Sequence, residues 1–165
     1  MQEEYKLIKD FENYEISNFG NIRNITTGKI KKTPIDINGY YTVKLSKNNK
    51  SKNCKIHRLV AETFILNPEN KECVDHIDRN KLNNCLPNLR WATKSENCIN
   101  KKVMSNNTSS VSGVCYYPKL KKWRVNIIIN GKQKHIGYYK DFDEAVRVRK
   151  EQEDIHYKEF KAIQN

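Results

Sequence analysis

Val74-Asp75-His76-Ile77-Asp78-Arg79-Asn80, followed by Asn84, Asn88-Leu89-Arg90-Trp91 and Thr93-Lys94-Ser95-Glu96-Asn97, is the stretch on which the reading of this chain turns. Residues 74–76 read as a short strand, 78–87 as a polar loop and 89–92 as a returning strand. Thr93-Lys94-Ser95-Glu96 has the form of a capping box, with Thr93 as N-cap, which opens a helix and puts Asn97 in its first turn. Strand, loop, strand and helix then carry Asp75, His76 and Asn97 to one side. A carboxylate beside an imidazole, with an amide oxygen about twenty residues on, can hold one hard cation next to a general base, which is the minimum for hydrolysing a phosphodiester. His76, with an ordinary pKa near ~6.5, is mostly neutral at pH 7 and can accept a proton from water. Asp75 and Asn97 offer hard oxygens suited to one Mg²⁺ or Mn²⁺, with water and the substrate phosphate filling the rest of the shell. Asn88 reads as support, its amide bridging backbone groups across the loop and holding His76 in its rotamer. Asp78, Asn80 and Asn84 stiffen the same loop, and Arg90 reaches the cleaved phosphate or a neighbour. An Asp-His pair in an Asn-rich loop is, taken alone, an ordinary turn; the whole constellation is what lifts it.

The partner follows from charge. Lys and Arg number 31 against 19 Asp and Glu, a formal net charge of +12, and they are spread along the sequence rather than gathered in a tail. That distribution suits a long track of phosphate contacts, so double-stranded DNA is the expected partner. A basic surface also meets anionic membranes, but no apolar run approaches the ~20 residues of a span, and Met1-Gln2-Glu3-Glu4 does not open a signal peptide. The five cysteines form an odd set without a CxxC pair, which signals neither a disulfide framework nor a zinc knuckle and suits a reduced, intracellular protein. A structural zinc would need Cys73, Cys85 and Cys98 to converge. No obligate protein partner is implied.

The apolar content of 37% favours small modules strung together over one large core. Short alternating runs with turns at Asn18-Phe19-Gly20 and Gly28 make residues 1–50 a β-rich module, with a second hairpin formed by 40–45 and 53–57 around a polar loop at 46–52. It is either a scaffold with solvated lysines or a ribbon laid along a DNA groove, with Arg23, Lys29, Lys31, Lys32 and Lys44 on phosphates. Residues 57–65 change to helical period, stopped by Asn67-Pro68. At its start His57 packs or caps, or reaches a phosphate together with Arg58. The nuclease core spans 51–104, and 105–112, rich in Asn, Ser and Thr, reads as a linker. Residues 113–160 then give three strands at 114–117, 123–129 and 133–138, with a hairpin turn at Asn130-Gly131, and a helix from Asp141 to about Tyr157 whose face carries Ala145, Val148 and Ile155. Alternation turns Trp123, Val125, Ile127 and Ile129 to the helix and leaves Arg124, Asn126 and Ile128 on an open face with Tyr117, Lys119, Gln133 and His135, which suits a major groove. The fold class is α+β.

These residues also resemble known families. Asp75-His76-Ile77-Asp78-Arg79-Asn80, Asn83-Asn84, Asn88-Leu89-Arg90-Trp91 and Asn97 resemble the ββα-metal motif of HNH endonucleases, most of all the phage intron-encoded homing type. Residues 14–22 resemble the module attached ahead of those enzymes, and His57-Arg58-Leu59-Val60-Ala61 the helix leading into their motif. The resemblance implies that Asp75 and Asn97 bind the metal, that His76 is the general base and that Asn88 is the middle asparagine of the name. Asn97 stands where the last His of the name would, an HNN variant that favours one Mg²⁺ or Mn²⁺ over catalytic zinc. Ser112-Gly113-Val114, Lys122-Trp123-Arg124-Val125, Gly131-Lys132, Ile136-Gly137-Tyr138-Tyr139, Phe142 and Glu144-Ala145 resemble the APETALA2-type DNA-binding domain of plant ethylene-response factors. The strand-one arginines of plant members are mostly missing here, with Cys115 and Tyr117 in their places.

The expected function is therefore that of a metal-dependent, site-specific DNA endonuclease of homing type, with nicking natural for one active site per chain. A DNA-binding regulator with an inactive HNH core is the alternative from another class, although every catalytic position is filled. A nonspecific defence nuclease has little use for such flanking modules.

Overall fold

Residues that tolerate left-handed backbone close the antiparallel ribbons from which the chain is built. In the computed structural model, which describes residues 1–100, 107, 109–157 and 160, Asp10 (φ 67°) turns β1, Tyr5–Ile8, into β2, Phe11–Ser17. Strand β2 pairs on with β3, Ile22–Asn24. The turn between them needs Gly20, at φ +86°, where a Cβ would stand 2.8 Å from the Ile56 side chain and 3.3 Å from Asn84 Cβ. Strands β4, Thr42–Lys47, and β5, Lys50–Lys55, reach further toward their turn than expected, because Asn48 and Asn49 (φ 50° and 59°) make a two-residue turn in place of the 46–52 loop. Consecutive asparagines accept the conformation that a tight hairpin demands.

Helix α1, Ile56–Phe64, leaves β5 directly and buries Ile56, His57, Leu59, Val60 and Ala61. Trp91 donates to the Ile65 carbonyl at 3.0 Å and Arg58 to that of Glu72 at 3.0 Å, which ties the helix to the ribbon that follows. That ribbon is β6, Cys73–His76, paired with β7, Leu89–Ala92, and a 3₁₀ turn at Leu86–Asn88 leads into β7. Ile8, Ile16, Ile22, Val43, Leu45, Ile56, Val60 and Leu89 form one core, each such burial stabilising by roughly 1.5–3 kcal/mol. Residues before and after position 50 thus share a single interior.

The chain divides into two units, Met1–Thr93 and Lys94–Asn165. The second begins with α2, Lys94–Ile99, and continues with β8, Val114–Tyr117, β9, Lys122–Ile129, and β10, Lys132–Tyr139, in sheet order β10-β9-β8. Asn130-Gly131 (φ 50° and 75°) makes the β9–β10 turn as expected. Helix α3, Phe142–His156, is capped by the Asp141 carboxylate, which accepts from the Glu144 N–H at 2.8 Å. Val114, Val125 and Ala145 centre its core, joined by Trp123, Phe142 and Val111.

One expectation about this unit is corrected. Ile155 is 61% exposed, and Arg149, four residues after Ala145, is buried on the inner side of α3 instead. Its Nε donates to the Ser112 carbonyl at 3.0 Å, and its guanidinium lies 3.1 Å from Glu153 and 5.3 Å from the Tyr157 ring centre. A buried arginine with those partners serves as core, which apolar periodicity does not register. Residues 105–112, expected as a linker, fall partly outside the described residues. Ser109 is buried, its hydroxyl donating to the Val114 carbonyl at 2.6 Å and lying 3.0 Å from that of Val111, and Val111 packs on the core.

Gly113 is the pivot of this arrangement, at φ +77°, with a Cβ there 2.3 Å from the Asn126 carbonyl and 2.6 Å from Arg149 Nε. Gly113→Ala is expected to destabilise the unit by about 2–5 kcal/mol, combining left-handed strain with overpacking. Urea unfolding of parent and variant checks this, and equal midpoints would contradict it.

Candidate active site

The β6–β7 ribbon sets the site by its register. Asp75 faces Arg90 and His76 faces Leu89 across the pair. Asp75, only 5% exposed, takes both arginine bonds on one oxygen, with Nε at 2.9 Å and Nη2 at 2.7 Å from Oδ2. Arg90, expected at a phosphate or a neighbour, is thus engaged with the neighbouring carboxylate, and opposed charges directly across an antiparallel pair put it there.

His76 is held by a different residue from the one expected. Its Nε2 lies 3.1 Å from Asn84 Oδ1, while Asn84 Nδ2 donates to the Leu82 carbonyl at 3.3 Å. That second bond fixes which way the amide points, so His76 donates through Nε2–H and carries its lone pair on Nδ1. Burial lowers the pKa of His76 below the usual histidine value, against the opposing pull of Asn84, Asp78 and Asp75. The ring is therefore neutral at pH 7.

Asn88 pins the loop. Its Oδ1 accepts from the Asp78 N–H at 3.0 Å, and its Nδ2 donates to the Asn83 carbonyl at 2.7 Å and to Asp78 Oδ1 at 2.9 Å. Asp78 also accepts from Asn80 N–H at 2.8 Å and Asn83 Nδ2 at 2.7 Å. The bridging of backbone groups is as expected; the grip on the His76 ring belongs to Asn84, named from the sequence only as a loop stiffener. An asparagine eight residues after the histidine carries no signal that separates those two roles.

Behind His76 stands a stack of rings that the sequence reading missed as a unit. His57 lies edge-on to His76 with centroids 5.0 Å apart, and Tyr40 lies 4.9 Å from His57 and 6.1 Å from His76. Burial pushes His57 down to about 3, helped by His76, Lys55 and Arg58. The linkage gives a prediction with a definite sign. With a folded pKa near 3 and an unfolded value near 6.5, only the unfolded chain gains a proton between those limits, so this part of the stability is complete above pH ~6.5 and declines as pH falls toward ~3. Going from pH 7.5 to 5.0 should remove about 2 kcal/mol through His57 alone. His57→Phe, which keeps a ring but cannot titrate, should shrink the pH dependence of urea unfolding by that amount; an unchanged dependence would count against the assignment.

A hard carboxylate beside a neutral imidazole fits a hard divalent cation, since a carboxylate has more lone-pair sites than one arginine uses. Among the described residues no three His, Cys, Asp or Glu side chains gather as a ligand set, so such an ion would draw on amide, water and phosphate oxygens. Asn97 lies in α2, in the second unit. Cys54, Cys73, Cys85, Cys98 and Cys115 are free thiols.

The residues expected at DNA separate into groups. Lys29, Lys31, Lys32 and Lys44 line one open groove of about 720 Å³, floored by Tyr14 and Asn24. Arg23 is matched instead by Glu15 across β2–β3, at 2.8 Å, and its guanidinium lies 4.0 Å from the Tyr5 ring centre. Arg58 is likewise engaged by the Glu72 carbonyl and by Glu62 at 3.4 Å. In the second unit Arg124 donates to Cys115 Sγ at 3.4 Å and sits 5.6 Å from the Tyr117 ring centre. Asn126 is largely buried, its Oδ1 3.1 Å from His135 Nδ1, whereas Lys119, Gln133 and His135 are exposed. No helix among the described residues is long and apolar enough to cross a membrane.

Comparison with known proteins bears on this arrangement. A family model described as HNH endonuclease matches residues 54–98, and one described as NUMOD4 motif matches 3–46. DNA endonuclease I-HmuI of Bacillus phage SP01 is 40% identical over 128 residues, which cover 77% of this chain and 72% of that protein. Uncharacterized HNH endonuclease L245 of Acanthamoeba polyphaga mimivirus is 48% identical over 97 residues, 59% of this chain but 29% of the viral protein, so this chain spans under a third of that relative. A solved structure, of DNA binding and cleavage by the HNH homing endonuclease I-HmuI, superposes with a TM-score of 0.57 at 31% identity and covers 94% of both chains. Sequence shared along most of a phage enzyme, and a fold shared along nearly the whole chain, make this protein a member of the HNH endonuclease family, with a NUMOD4 motif ahead of its HNH segment.

Proposed function

We propose that the chain is a homing-type DNA endonuclease that hydrolyses phosphodiester bonds with His76 as general base. The observation that carries this reading is a buried imidazole whose Nε2 lies 3.1 Å from Asn84 Oδ1, next in the chain to a buried carboxylate that Arg90 orients. HNH endonucleases in general depend on a divalent metal, and the donor types here favour Mg²⁺ or Mn²⁺, to which the Asp75 carboxylate and the Asn97 amide would each offer a hard oxygen. Such a cation would supply neutralisation of the charge that develops on the phosphate as the bond breaks. His76 Nδ1 takes the proton of the attacking water while Asn84 keeps Nε2–H in place, Asn88 holds the loop that carries both, and Arg90 keeps the Asp75 carboxylate aimed.

The charge distribution supports DNA as substrate: the groove of four lysines beside Tyr14 follows a phosphate backbone. We read 1–50 and 51–104 as the DNA-contacting and nuclease parts. The sheet backed by one helix supports 113–160 as an APETALA2-type reading domain, with Tyr117, Lys119, Arg124, Gln133 and His135 on its open face and Asn126 positioning His135.

Incubating the purified chain with plasmid and phage DNA in Mg²⁺ or Mn²⁺ tests the reading. Nicked or linear products that chelation by EDTA suppresses are expected, and strand-by-strand sequencing maps the cut sites. DNA left intact with both metals would refute it.

A further inference from the structure

Residues 35–40 carry a side chain that the fold does not use. Ile37 is 101% exposed, yet it sits on a turn that is tightly bonded. The Asp36 carboxylate accepts from Asn38 N–H and Tyr40 N–H, both at 2.9 Å, while Asp36 N–H donates to the Tyr40 carbonyl at 2.8 Å and Gly39 N–H to the Asp36 carbonyl at 2.9 Å. The turn is also fastened to the loop after His76, because Lys81 Nζ donates to the Asn38 carbonyl at 3.0 Å. Two ammonium groups flank its base, Lys55 at 4.3 Å and Lys81 at 4.7 Å from the Tyr40 ring centre. Tyr40 belongs to the ring stack behind His76. An unsupported aliphatic tip, a pair of cations and the general base are thus parts of one braced block.

Scattered exposed apolar residues need no explanation, but a braced one among cations beside a DNA-cleaving site has a matching occupant. Phosphates draw the ammonium groups in, and the stacked bases are the apolar interior that an aliphatic tip can enter. Isoleucine is among the residues that wedge between base steps from the minor groove and kink the duplex. We infer that Ile37 is such a wedge, unstacking one step beside the phosphate that His76 addresses and bending the duplex onto the site. The inference rests on the nuclease reading above. It adds a specificity: pyrimidine–purine steps unstack most readily, so cut sites should lie beside TA or CA/TG.

The test uses the full chain and a short duplex spanning a mapped cut site, with 2-aminopurine placed in turn at each position around it. Wild type bound without metal should raise fluorescence severalfold at one step, Ile37→Ala should lose the rise, and Ile37→Met should keep it. With metal, Ile37→Ala should cut the intact duplex about tenfold more slowly, and a mismatch at that step should restore its rate to within about twofold, since the unstacking is then already done. The variant's melting temperature should match the parent's, as the side chain packs on nothing. Equal slowing on intact and mismatched duplexes, or wild-type cutting by Ile37→Ala, would overturn the wedge. Cutting by wild type with no fluorescence rise at any position ends this inference and leaves the nuclease standing; no cutting at all ends both. Sedimentation with phosphatidylserine vesicles that Ile37→Ala abolishes, with cutting untouched, would assign the tip to membranes and overturn the inference as well.

Discussion

Changing His76 to Ala is expected to slow phosphodiester hydrolysis by about 10²–10⁴-fold, the usual contribution of a positioned general base, while DNA affinity stays near that of the parent. The asymmetry follows from geometry. His76 is largely buried, and its bond to Asn84 serves its own tautomer, so it offers little to the affinity that phosphate contacts elsewhere provide. Asn84→Ala should give an intermediate loss in kcat, because the imidazole remains but its proton is no longer confined to Nε2. Initial rates on plasmid with saturating metal, set against anisotropy titrations on the same DNA, separate the two effects. A His76→Ala protein that cuts at the parent's rate would remove His76 from the mechanism.

Arg90→Ala should act first on stability. The variant removes both guanidinium bonds from the Asp75 carboxylate, which is 5% exposed. Breaking a buried pair from one side costs about 3–5 kcal/mol, which in a chain of this size lowers Tm by roughly 10 °C or more. Arg90→Lys should recover only part of that, since a single ammonium cannot bring two donors to Asp75 Oδ2 as Nε and Nη2 do. The paired change Asp75→Leu with Arg90→Met should restore stability while abolishing cleavage, which separates the fold's need for the pair from the chemistry's need for the carboxylate. Thermal melts and plasmid assays on all four proteins check this. An Arg90→Ala variant within about 0.5 kcal/mol of the parent would show that the pair stabilises nothing.

Asn130-Gly131 and Asp141 show what is legible without a structure. Each dictates backbone conformation or a capping bond within four residues of itself, and each acts in the folded chain as its residue type predicts. Asn48-Asn49 obeys the same physics, but its polar surroundings look like loop, so the sequence suggests a wider loop than the two-residue turn that forms. The expectation for Ile155 fails for another reason, with Arg149 buried on the inner side of the helix. Periodicity ranks positions by apolarity, and an arginine whose charge is met by Glu153 and the Ser112 carbonyl takes an inward place that a pattern of apolar residues cannot reveal.

Within the site the division is the same. Asp75, His76 and Asn88 stood out because their residue types and spacing carry chemistry by themselves, and the ribbon with its polar loop was readable from alternation and turn residues. The partner of Arg90, the residue that holds His76, and the stack of Tyr40 and His57 behind it did not stand out. Each depends on strand register, on an amide's orientation or on segments 19 to 36 residues apart meeting in one interior. The residues of this chain determine by themselves its short ribbons, its helix starts, its positive charge and the kinds of group at its reactive centre, since those act over a few bonds or need no geometry at all. Which side chain faces which was decided only when packing brought distant segments together, because a hydrogen bond or a ring contact exists only at a distance and angle that the order of residues does not contain.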